Sequence, residues 1–231
     1  MQDSGKSERV MPKIGTITSP ATRKQLGIFV LDGSGSMLIG QSTQKISLAQ
    51  SVSNAIRGTF DRFKQGRKVN DFSFAVIYYD SKARVEIDIT KAIDIDSNRE
   101  YDPTVGMGGT TSIGTALKEA QKIAEKFLAL QEKGELERSV VIVLLSDGLD
   151  MTQDDTVSVA DTIKSNPKIK ITSCFFEPMS DEPDQIKEDM IKEASDFLRG
   201  LCSTPSIGFT KTSDPEKIRT FFEESVSIKI K

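Results

Sequence analysis

The chain has 231 residues, 37% hydrophobic and 28% charged, with a formal net charge of -3, a composition that closes one core and is too apolar for a disordered chain. It contains no histidine and two cysteines, which removes every histidine-based triad, every imidazole metal site and any thiolate cage. Without a dense Lys/Arg tract or an apolar run of roughly 20 residues, neither nucleic acid nor a membrane span is expected.

Residues 1–24 are polar and read as a loose arm ahead of a single domain, 25–231. The opening "MQDSGKSERVMPKIG" lacks the apolar centre of a secretory signal. Together with the sparse cysteines, this predicts a reducing, cytoplasmic setting. Cys174, inside "ITSCFF", reads as a small buried hydrophobe.

"LGIFVL" (26–31) is a nearly continuous apolar run, the mark of a strand covered on both faces. Ile46, Ala49, Val52, Ile56, Phe60 and Phe63 then recur at helical spacing. "FSFAVIYY" (72–79) is a second strand. "ARVEIDI" (83–89) alternates and follows after only "DSKA", too short for a parallel crossover, so it pairs antiparallel at an edge. A helix carries Ile113, Leu117, Ala120, Ala124, Phe127 and Leu128 on one stripe. "SVVIVLLS" (139–146) is the most apolar strand. A helix over 152–165, a strand at 169–176, a helix over 186–201, a short strand "IGFT" (207–210) and a last helix over about 214–227 complete the chain. Asp214 and Pro215 are suited to cap and open that last helix. The alternation predicts an α/β fold: a doubly wound, mainly parallel six-stranded sheet with one antiparallel edge strand and helices on both faces.

In such sheets, sites form beyond the carboxyl ends of the strands. Two strands end there in an acid, Asp32 and Asp147, which repel each other unless something positive lies between them. Ser34 and Ser36 follow Asp32, with Gly33 and Gly35 letting the backbone curl tightly. The mid-chain loop "GGTTS" adds further hydroxyls. This is a hard-oxygen set, suited to Mg²⁺ or Mn²⁺ with water completing the shell. Each piece alone has a plainer reading: "DGSGS" as a turn feeding a helix capped by Ser36 or Ser42, "GGTTS" as an N-cap loop, "SDG" as a turn. Asp150, Asp154 and Asp155 read as a solvated helix start. No phosphate-binding glycine motif or nucleophile elbow is present.

Asp-x-Ser-x-Ser after the first strand, a "GGT" loop and "SDG" after the central strand resemble the von Willebrand factor A domain and its metal-ion-dependent adhesion site (MIDAS). The resemblance spans roughly residues 25–228. It implies that Asp32 fixes a divalent cation partly through water, that Ser34, Ser36 and Thr110 supply hydroxyls, and that Asp147 acts from the second shell. Thr110 directly follows "GG", as the family's ligand does, whereas Thr111 is placed to cap or open the next helix. A partner's Asp or Glu would complete the coordination, and family members with a switch couple the metal loop to the last helix. The expected function is non-enzymatic: a metal-dependent protein-binding adaptor. Its compactness is similar to that of stand-alone bacterial members, including those of stress responses that act with kinase or phosphatase partners. The alternative is a subunit of an ATPase-driven, chaperone-like complex.

Overall fold

A computed structural model describes residues 23–38, 46–132, 135–148, 150, 152–177 and 185–230. The bulk of the polar arm, 1–22, and Ser42 lie outside them. Six strands form one sheet: β1 (Arg23–Asp32), β2 (Phe72–Tyr79), β3 (Ala83–Lys91), β4 (Glu137–Ser146), β5 (Ile169–Phe176) and β6 (Phe209–Thr212). Their order is β3-β2-β1-β4-β5-β6, with β3 antiparallel and every other pairing parallel. The helices are α1 (Leu48–Lys64), α2 (Ile113–Ala129), α3 (Gln153–Lys164), α4 (Gln185–Leu201), a single turn α5 (Pro205–Gly208) and α6 (Pro215–Val226). This is the expected doubly wound architecture. No helix among the described residues is long and apolar enough to cross a membrane.

The continuous apolar strands are explained by cover on both faces. Phe29, Leu31, Val141 and Val143 point to α1 and α6, where they meet Ile56, Phe60 and Phe222. Leu26, Ile28, Ile142 and Leu144 point the other way, to Leu117 of α2, Ile163 of α3 and Leu198 of α4. Each such side chain contributes roughly 1.5–3 kcal/mol by leaving water. On the first face Phe29 stacks against Phe60, Phe74 and Phe222 with ring centroids 5.7, 5.9 and 5.1 Å apart. Gln25 ties the far end of β1 to the end of α6, donating to the carbonyls of Val226 (2.6 Å) and Ile228 (3.0 Å).

Several local expectations need correction. β1 starts at Arg23, so Arg23 and Lys24 belong to the sheet rather than to the arm. β3 does not alternate cleanly. Phe74 faces Thr90, Val76 faces Ile87 and Ile77 faces Val85, so β3 spends an extra residue at each of two register shifts. Ile87 therefore packs on the α1/α6 face and Ile89 on the opposite one, while Val85 is exposed. The cap of α1 is not Ser36 but Ser47, whose side chain accepts from the Gln50 amide. In "IGFT", Ile207 and Gly208 close a helical turn opened by Pro205, their amides bonding back to Thr204, and the strand begins only at Phe209. Asp214 caps α6 as expected, accepting from Glu216 at 3.0 Å.

Candidate metal centre

The parallel order sets β1 between β2 and β4, so their carboxyl ends share one rim. Asp32 pairs in register with Tyr79, and Leu31 with Leu145, one residue before Ser146. Three strands, not two, run into an acid here: Asp32 after β1, Asp80 after β2 and, beyond Ser146, Asp147 after β4.

Asp32 is fully buried and held from three sides. Its Oδ1 accepts from the Ser34 amide at 2.8 Å. Its Oδ2 accepts from the Ser146 hydroxyl at 2.6 Å, with the Tyr79 hydroxyl 3.4 Å away and also directed at the Leu145 carbonyl, 3.1 Å off. The Ser34 and Ser36 hydroxyls lie 3.0 Å apart, and Ser36 donates to Asp147 Oδ1 at 2.9 Å. Asp147 Oδ2 is buried with no hydrogen-bond partner among the described residues. Burial raises the Asp32 carboxyl above its ordinary range against the opposing bonds from Ser146, Ser34 and Tyr79. Burial, and then the charge of Asp32, pushes Asp147 up to about 7.

The loop bearing Thr110 lies against the loop bearing the serines. A side-chain carbon on Gly33 would stand 2.2 Å from the Pro103 carbonyl oxygen and 3.1 Å from Met107 Cβ, so only glycine admits this contact. One on Gly35 would stand 3.6 Å from the Gly108 carbonyl. Gly108 itself has φ of 131°, a conformation other residues rarely adopt. Thr110 is thus on the same rim, exposed, and makes no hydrogen bond to Asp32, Ser34, Ser36 or Asp147. The structure joins those four directly or through Ser146 and sets the loop that carries Thr110 against the serine loop.

Asp80 organises that loop. Its carboxylate accepts from the amides of Lys82 (2.8 Å) and Gly109 (3.0 Å), and its carbonyl accepts from Ser112 at 2.9 Å. Desolvation opposes its ionisation, but these amide bonds outweigh it and hold the carboxyl below its usual range. Asp150 is not the solvated acid its sequence context implies. It is buried, caps α2 by accepting from the Ile113 amide at 3.1 Å, and accepts from Thr156 of α3. Thr111 therefore does not cap α2; the cap position is Ser112, and Asp150 supplies the carboxylate. Asp154 and Asp155 are exposed in the first turn of α3, as expected.

Among the described residues no three His, Cys, Asp or Glu side chains converge on one point, so hydroxyls have to contribute to the shell of any ion held here. The donor set fits one. Two buried carboxylates repel, one oxygen lacks a partner, and two hydroxyls stand at 3.0 and 2.9 Å steps between them.

Residues 28–224 match the von Willebrand factor type A domain, and the chain belongs to that family. Solved structures bear out the fold. The pilus adhesin SpaC of Lactobacillus rhamnosus GG superposes with a TM-score of 0.68 at 11% identity, over 91% of this chain and 31% of that one. A von Willebrand factor type A protein from Catenulispora acidiphila gives 0.58 at 20% identity, over 90% and 42%. Proximal thread matrix protein 1 of the mussel byssus, with a zinc-occupied MIDAS motif, gives 0.53 at 18% identity, over 91% and 46%. The chain thus spans less than half the length of each. No curated protein matches it in sequence.

Proposed function

We propose that this domain binds a protein partner through a divalent cation, Mg²⁺ or Mn²⁺, held by Asp32, Ser34, Ser36, Thr110 and Asp147. The observation that carries this reading is Asp147 Oδ2, buried without a partner among the described residues and beside a second buried carboxylate. Such a pair is costly unless a positive charge offsets it. Asp32 and Asp147 supply the charge, Ser34 and Ser36 supply neutral oxygens, and Thr110 closes the set from the loop that Asp80 holds. Carboxylates and hydroxyls are the hard oxygen ligands that Mg²⁺ and Mn²⁺ take. A cation held largely by hydroxyls keeps enough charge to accept an external carboxylate, so the partner presents Asp or Glu.

The role is binding rather than catalysis. The other acids on this rim, Asp80 and Asp150, are committed to backbone amides and to Thr156 and are not placed to activate water. Titration calorimetry with Mg²⁺ and Mn²⁺, followed by partner capture with and without EDTA, tests the reading. Saturable binding that Asp32→Ala abolishes supports it. A wild-type protein that takes up neither ion refutes it.

A further inference from the structure

A second site lies at the opposite end of the strands. Gln25 and Asp32 are the near ends of one strand, about 23 Å apart at roughly 3.3 Å per residue. Around Gln25 a cleft of about 520 Å³ opens between the end of α1, the turn Val69–Asp71 and the segment after α6. Arg23, Arg62, Arg67, Lys68 and Lys229 line it, over a floor that includes Phe63 and Phe72. Among the described residues one carboxylate lines it too, Asp71, and Lys24 already stands 3.9 Å from it.

This concentration of charge runs against a chain of net charge -3. Arg62 pairs with Glu223 at 2.9 Å, and Arg23 reaches Glu137 only at 4.0 Å. Arg67, Lys68 and Lys229 form no ion pair with any described residue. The helix dipole accounts for cations in the last turn of α1, where Arg62 and Lys64 sit. It does not account for Arg23 on β1. The backbone under the loop cations is fixed: Val69 bonds to the Gly66 carbonyl and Asp71 to that of Lys68, at 3.1 and 2.8 Å.

We propose that this cleft binds a small anion carrying at least two phosphate groups. Guanidinium forks match phosphate oxygens in pairs, and three of the five cations are arginines. The volume is that of a small-ligand site. The aromatic floor gives apolar contact to an organic portion.

The test is titration of the full chain with inorganic pyrophosphate and with ADP, in EDTA so that no metal bridges the anion. Wild type and Asp147→Ala bind alike, which separates this cleft from the metal centre, and affinity falls as salt is raised. The double variant R67E/K229E changes two exposed positions and loses about tenfold or more in affinity while keeping its circular dichroism and melting temperature. ADP binding more tightly than pyrophosphate assigns the organic portion to the Phe63 side. Equal affinity confines recognition to the phosphates. Absence of saturable binding, binding unchanged in the double variant, or stronger binding of a poly-glutamate peptide than of pyrophosphate would overturn the proposal.

Discussion

The Ser146 hydroxyl donates to Asp32 Oδ2 at 2.6 Å, joining the ends of β4 and β1 across 114 positions of sequence. Replacing Ser146 by Ala leaves that oxygen with Tyr79 alone, 3.4 Å away. The expected cost is about 1–3 kcal/mol of stability in metal-free protein, and a ten- to hundredfold loss of ion affinity. Urea unfolding and calorimetry read the two effects separately. An unchanged ion affinity would show that Asp32 needs no such support.

The pH response follows from Asp147. Its folded-state value, about 7, exceeds its ordinary 3.8, so the native state holds a proton that the unfolded chain releases. Stability of metal-free protein therefore declines as pH rises from about 4 to about 7, by an amount on the order of a few kcal/mol, and the raised Asp32 carboxyl adds to the decline in the same direction. Asp80, Asp88 and Glu135, held below the usual range, lose their contribution only as pH falls below about 4. Melting temperatures between pH 5 and 8 in EDTA should thus drop as the solution becomes more alkaline. Asp147→Asn should flatten that trend, and saturating Mg²⁺ should reverse it, because the ion competes with the proton.

Asp80→Ala tests the support of the Thr110 loop. The Gly109 amide loses its acceptor, and residues 108–112 should exchange amide hydrogens at least tenfold faster while the sheet is unaffected. Ion affinity should fall as well. Slow exchange retained in this segment would mean that the loop is held by other contacts.

Gly33→Ala probes the contact between the two loops. The added carbon meets the Pro103 carbonyl at 2.2 Å, so one loop has to shift. A destabilisation of about 2 kcal/mol or more is expected, together with loss of ion binding, by urea unfolding and calorimetry. A fully stable variant with wild-type ion affinity would contradict the packing described.

Much of this was legible from hydrophobic pattern. β1 and β4 are apolar throughout because helices cover both sides, and the acids that end them mark the rim without any coordinates. The same mark was present at Asp80 after "FSFAVIYY", yet a carboxylate followed by "SKA" also looks like an ordinary hairpin turn. Asp150 was hidden for a different reason: an acid ahead of a helix suggests water and a favourable dipole, whereas its partners lie on α2 and in Thr156, fixed only by tertiary packing. Ser146 counted as the polar end of a strand, and nothing local reveals that its hydroxyl crosses to β1. The register shifts in β3 and the turn at Pro205 likewise depend on what the neighbouring elements leave room for.

The two carbonyls clasped by Gln25 have a mechanical consequence. β1 carries Asp32 at one tip and fastens the tail of α6 at the other, so a single strand links the candidate metal centre to the foot of that helix. Travel of α6 along its axis by one helical turn, about 5.4 Å, has to release both bonds before Phe222 can leave the ring of Phe29. The helix is latched at its foot, and Gln25→Ala removes both bonds of that latch.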